Sequence, residues 1–300
     1  MINSDNVAVV CTYKGNLMLF VIELQKNDYV VKKAVWLGKE DELSIHSIKI
    51  FGDSVYLADS YNNKIYKYNH VLNELNEETV GRDPRHMCIS GENMYVANFE
   101  SDNISVIDMS TFTLTESIPA GMKPHDVLCR EDKMLYVCCY EENEVIECTG
   151  NNEQRHFTTE GKPMHMLSSD KSIILMTYFA NGIVHTKINF MDVESGKITK
   201  VIEIEGLSTD FDIDVKRNLV YVINIEDKKL YVIDATKKET VTAVFLGGYP
   251  EGLTVGEKYV YITNSKKNNI TVIDSEKLTI ENIININFTP SCIKIIEDQK

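Results

Sequence analysis

The sequence predicts an all-β protein, a seven-bladed β-propeller of four-stranded antiparallel blades, and three observations carry that prediction. A strand–turn–strand unit recurs along the chain at a spacing near 40 residues. Within the units apolar residues alternate with polar ones, as in NISVID (103–108) and KLYVID (229–234), with no sustained helical period. The two chain ends carry complementary pieces of one further unit.

The units fall in order. VAVVCTYKGNLMLFVIE (7–23) is a degenerate first copy. SVYLADSYNNKIYKYN (54–69), NMYVANFESDNISVID (93–108), MLYVCCYEENEVIECT (134–149), NLVYVINIEDKKLYVID (218–234) and YVYITNSKKNNITVID (259–274) follow, and IILMTYFANG (173–182) opens the fifth. The equivalent residues Tyr56, Tyr95, Tyr136, Ile174, Tyr221 and Tyr261 are 39, 41, 38, 47 and 40 residues apart. Each later copy is preceded by a strand-like stretch, SIHSIKI (44–50), PRHMCIS (84–90), PHDVLCR (124–130), PMHMLSS (163–169), TDFDIDV (209–215) or PEGLTVG (250–256). Further strands such as TLTESIPA (113–120) and ETVTAVFL (239–246) follow them. Four short strands per period describe one propeller blade.

The stretch PSCIKIIED (290–298) matches a first strand with nothing after it, whereas the first copy lacks one. The carboxyl-terminal strand is therefore expected to complete the amino-terminal blade and close the ring, which removes exposed sheet edges. One domain over residues 1–300 results. Blade 1 comes from 6–42 plus 290–298, and blades 2 to 7 from about 44–80, 84–120, 124–159, 163–205, 209–246 and 250–287. The segments YVAN, YVIN and YITN, each followed by a turn and then ISVID, LYVID or ITVID, resemble the repeats of the YVTN-type (YncE-like) β-propeller family. That resemblance implies a seven-bladed ring and leaves the chemistry open, because members serve as binding modules, surface proteins and occasional enzymes.

Composition narrows the partners. Thirty-one Lys plus Arg against 45 Asp plus Glu give a net charge of −14, so nucleic acid and anionic membranes meet net repulsion. No apolar run approaches the length of a membrane span, and the amino-terminal stretch lacks the pattern of a signal peptide, so a cytoplasmic location is expected. The seven cysteines lie mostly in strand-like segments without a CxxC spacing and are expected to be reduced, buried thiols.

Departures from the repeat point to chemistry. His46, His86, His125 and His165 open the first strands of blades 2 to 5, where a propeller's innermost strands meet the channel mouth, and Asp210, Asp212 and Glu251 occupy that region of blades 6 and 7. Imidazoles facing carboxylates suit a divalent metal, proton transfer near neutrality, or an anion when protonated. Against this, side chains alternate along a strand, so a one-residue offset could aim His86 and His125 to opposite faces. Arg82, Arg85, Lys123 and Lys162 fall in or beside the entry loops, and Phe99, Tyr140, Tyr178 and Phe179 end second strands nearby. They read either as a ligand rim or as plugs between blades. Recurrent Asp59, Asn98, Asn224 and Asn264, with Asp108, Asp192, Asp234 and Asp274, read as turn formers. Blade 5 lengthens its second-to-third connection (177–197), a common way to shape a binding face.

Two functional expectations follow. The first is a binding or scaffold propeller that takes a small molecule or protein on the channel-mouth face, needing no cofactor other than a possible divalent metal. The second is a metal-assisted hydrolase or lyase, lactonase-like or streptogramin-lyase-like, using the histidines with Asp210, Asp212 or Glu251.

Overall fold

The computed structural model describes residues 5–26, 28–130, 134–148, 154–170, 172–180 and 183–296. Its 28 strands, β1 to β28, pair into seven four-stranded antiparallel sheets arranged as blades of a ring, and no helix occurs among the described residues. The innermost strands are β4 (Ile45–Phe51), β8 (Pro84–Ser90), β12 (Pro124–Cys129), β16 (Lys162–Ser168), β20 (Ser208–Asp214), β24 (Pro250–Val255) and β28 (Thr289–Ile296). As expected from the chain ends, β28 pairs with β1 (Asp5–Tyr13), and this first sheet runs β28, β1, then β2 (Asn16–Leu24) and β3 (Tyr29–Lys39).

Alternating apolar residues explain the stacking. Among the described residues the buried apolar side chains form seven clusters, one at each junction between neighbouring blades. At the junction of blades 7 and 1, Val9 and Phe20 pack against Tyr261, Ile270 and Phe288. Burying one such aliphatic or aromatic side chain stabilises the fold by about 1.5–3 kcal/mol. Outermost strands need no such face: β7 (Glu74–Thr79) and β11 (Thr113–Pro119) are exposed along most of their length.

The Asp and Asn residues singled out above make turns. Asp108 Oδ1 accepts from the amides of Ser110 and Thr111, Asp234 Oδ1 from Thr236 and Lys237, and Asn224 Oδ1 from Glu226 and Asp227. Left-handed turn residues also stitch blades together: Asn63 Oδ1 takes the Asp83 amide at 2.9 Å and Asp102 Oδ1 the Lys123 amide at 2.8 Å.

Two expectations are corrected. The extra residues of blade 5 extend its strands, β17 (Ser172–Ala180) and β18 (Val184–Asp192), to nine residues each, because Tyr178 and Phe179 continue the ladder opposite Thr186 and His185. The tip of that connection, 181–182, lies outside the described residues. The cysteines are not all thiols: Cys88 and Cys129 form a disulfide between β8 and β12. Residues one repeat apart stand side by side on neighbouring inner strands, here with Cα atoms 5.9 Å apart, a separation the sequence spacing of 41 conceals. Five thiols should therefore titrate in the denatured, unreduced protein and all seven after reduction. A count of seven before reduction would remove the cross-link.

Candidate functional site

The inner strands begin with a break in register. On β4 it falls between Ile45 and Ser47, on β8 between Pro84 and Met87, on β12 between Pro124 and Asp126, and on β16 between Pro163 and His165. Such bulges re-aim side chains, and here they absorb the one-residue offset between blades. All four imidazoles consequently meet at the channel mouth. Ring centroids lie 5.0 Å apart for His46 and His86, 5.2 Å for His86 and His125, 5.1 Å for His125 and His165, and 4.5 Å for His86 and His165. One ring nitrogen from each of His46, His86 and His125 lies within 4.8 Å of the other two, a spacing that a single metal ion could bridge. His165 packs edge-on against His86 without joining that trio.

The partners of each ring decide its tautomer. His125, 3% exposed, sets Nδ1 2.7 Å from the Met164 carbonyl, which can only accept, so Nδ1 carries the proton and Nε2 keeps its lone pair. His86 Nε2 is buried without a hydrogen-bond partner among the described residues. His46 differs: Arg85 Nη1 donates to its Nδ1 at 3.2 Å, so the neutral ring's lone pair is occupied. Coordination by His46 requires Arg85 to withdraw. The guanidinium has other holds, on Asp83 Oδ2 at 2.6 Å and over the Phe99 ring at 4.7 Å.

The carboxylates have other tasks. Asp210 accepts from the Phe211 amide and, across the blade junction, from the Leu253 amide at 2.9 Å; Asp212 accepts from the Ile213 amide and pairs with Lys294 at 3.0 Å. Asp126 likewise bonds the Val127 and Met166 amides. These aspartates link neighbouring inner strands, a job different from ligation. Glu251 bonds the Ser265 hydroxyl. All of them line the same central cavity as the histidines, about 510 Å³ in volume.

The rim divides. Arg85 and Lys123 flank Phe99, Phe99 meets Tyr140 at 5.6 Å, and Lys162 lies 5.1 Å from the Tyr140 ring centre. Each cation also has an acidic partner: Asp83, Glu100 and Glu141 respectively. Arg82 turns outward to the Glu100 carbonyl. Tyr178 donates to the Ser208 carbonyl at the junction of blades 5 and 6 and also lines the central cavity, while Phe179, 40% exposed, sits beneath Lys187 and does not line it. Lys49 and Lys294, outside the residues expected from the sequence, line the cavity further along the inner strands. The available signal was a lysine in the middle of IHSIKI and of CIKIIE, strands that must lie innermost.

Burial is the main cause of the titration behaviour. It holds His46 down to about 3 and His165 to about 4, and takes His86 and His125 well below the ordinary value, with Arg85 and the neighbouring imidazoles adding to the effect at His46, His86 and His125. It pushes Asp126 up to about 7 and Asp210 up to about 6. Depressed imidazoles contribute stability that is present above the unfolded value of 6.5 and lost as pH falls toward 4 and 3. The two aspartic acids act oppositely, their contribution being lost as pH rises through about 6 to 7.

Comparison with solved structures agrees with the architecture. A Bacteroides fragilis protein described as a candidate 6-phosphogluconolactonase superposes with a TM-score of 0.74 at 13% identity over 98% of this chain and 99% of its own. AztD from Citrobacter koseri superposes at 0.71 with 14% identity, covering 99% of each chain. A streptogramin B lyase gives 0.68 at 15% identity over 83% of this chain and 86% of its own. Identities this low bear on the fold alone. No family model and no curated protein matches the sequence.

Four depressed imidazoles outnumber three raised carboxyls, those of Asp126, Asp210 and Glu251, so metal-free protein should lose stability on acidification from pH 6.5. Urea titrations of a His125→Gln, His165→Gln double variant should reveal a proton uptake on unfolding near pH 5 that is smaller by about two. An unchanged slope would mean that these rings titrate normally in the fold.

Proposed function

We propose that this chain is a ligand-binding propeller whose channel mouth takes a divalent transition-metal ion on His46, His86 and His125, presenting it to a small molecule or protein that approaches the same face. The observation that carries this reading is the buried, partnerless Nε2 of His86 within reach of two further imidazoles. Buried polar atoms normally have partners, and a metal ion would supply one. Imidazole nitrogen favours zinc, copper, nickel or iron over magnesium or calcium. The hydrogen bond from His125 to the Met164 carbonyl is the usual support of a ligating histidine. The cation–aromatic row of Arg85, Phe99, Lys123, Tyr140 and Lys162 beside the site offers a flat surface to a ligand. The YVTN-like repeat is compatible with a scaffold of this kind, as is the −14 charge with a partner that is neither nucleic acid nor membrane.

A metal-assisted hydrolase or lyase is the second reading, and His165 favours it. Packed on His86 outside the metal trio and held neutral by burial, it could serve as a proton acceptor beside a bound ion. The cytoplasmic location expected from the sequence and the Cys88–Cys129 bond pull in opposite directions, because disulfides persist mainly in oxidising compartments.

Elemental analysis of protein purified without chelator or affinity-tag nickel should return one transition-metal ion per chain. His86→Ala and His125→Ala should each lose it, and Arg85→Met should bind it several-fold more tightly because the His46 lone pair is then uncontested. Equal metal content in wild type and both histidine variants would overturn the proposal.

A further inference from the structure

Lys49 stands three residues beyond His46 on β4, near the middle of the central cavity's wall. More than a third of its surface is free, and that surface faces the cavity; protein surrounds the channel closely enough that desolvation lowers the ammonium's pKa. Among the described residues it has no hydrogen-bond or ion-pair partner. The charged groups whose fields reach it come from other blades, and the nearby ones are already engaged: Lys294 on β28 pairs with Asp212 on β20 at 3.0 Å and donates to the Leu253 carbonyl, and Asp126 on β12 accepts two backbone amides.

A lysine on an inner strand normally ends in an ion pair, since an isolated ammonium is costly away from bulk water. Desolvation is the main cause that disfavours the charged form of Lys49; Lys294 adds to it while Asp212 and Asp126 act the other way, and the cavity of about 510 Å³ admits a small molecule beside the amine. An unpaired lysine walled by protein on a cavity that admits a small molecule is placed to act as a nucleophilic amine at neutral pH.

We propose that Lys49 is a nucleophilic amine that condenses with a small aldehyde or ketone entering the central channel. The lone pair of its neutral amine forms the N–C bond to the carbonyl carbon as the C=O π bond opens onto oxygen, and that oxygen takes the proton the nitrogen sheds to give a carbinolamine. Loss of that oxygen as water, with one proton from nitrogen, leaves an imine. No oxidant or reductant is consumed. The reaction requires no metal at the histidines, so it goes beyond the metal proposal and is tested apart from it.

Chelator-treated protein is incubated with pyruvate and cyanoborohydride at neutral pH, and the reduced adducts are mapped by peptide mass spectrometry. Lys49 should be modified several-fold faster than the median exposed lysine, because a lowered pKa leaves more of its amine neutral at this pH. Unfolding in urea should abolish the preference. Lys49→Arg, which keeps a cation in place, should remove the fast adduct while melting as wild type does. Modification of Lys49 at the rate of exposed lysines, or its absence while those react, would overturn the assignment.

Discussion

Face-to-face packing of blades governs this molecule. Every blade buries one set of apolar side chains against the preceding blade and the opposite set against the next, so no blade has a complete core alone. Inner strands therefore converge on a common axis, and their first residues are brought within reach of one another whatever their sequence separation. Polar side chains complete the join: the Ser47 hydroxyl donates to the Arg85 carbonyl, Asp126 reaches the Met166 amide and Asp210 the Leu253 amide. The same geometry that stabilises the ring assembles the imidazole cluster and aligns Cys88 with Cys129.

The chemistry of the mouth follows from what the walls exclude. Rings packed 4.5 to 5.2 Å apart cannot all carry charge in a poorly solvated space, so the cluster is neutral and rich in lone pairs at ordinary pH. Arg85 compensates at one corner by hydrogen-bonding His46 while remaining tied to Asp83 and Phe99. It is the group that a metal ion would displace, which couples the ion to the aromatic rim.

Periodicity made the fold legible. A spacing near 40 with alternating strands admits few architectures, and the split first blade follows from the chain ends. Position along the inner strand made the histidines legible as a set, but their convergence depends on bulges at Ile45–Ser47, Pro84–Met87 and Pro124–Asp126, which residue alternation does not reveal. Asp210 and Asp212 were legible as channel residues and not as links between blades, because a carboxylate's choice between a ligand and a backbone amide depends on the neighbouring blade's offset. The disulfide stayed hidden for a related reason: its partners are distant in sequence and adjacent only once the ring exists.

The first blade is assembled from segments far apart in the chain: the Ser291 hydroxyl bonds the Val10 carbonyl across 281 residues. Every other blade can pair its strands as soon as its own 40 or so residues have left the ribosome. At about 5–20 residues per second, β1 waits roughly 15–60 s for β28. During that interval the inner edge of β1 is an unpaired template, and β28 of a neighbouring nascent chain on the same message fits it as well as the chain's own. The β1–β28 seam of blade 1 is therefore the last of the ring's ladders to form.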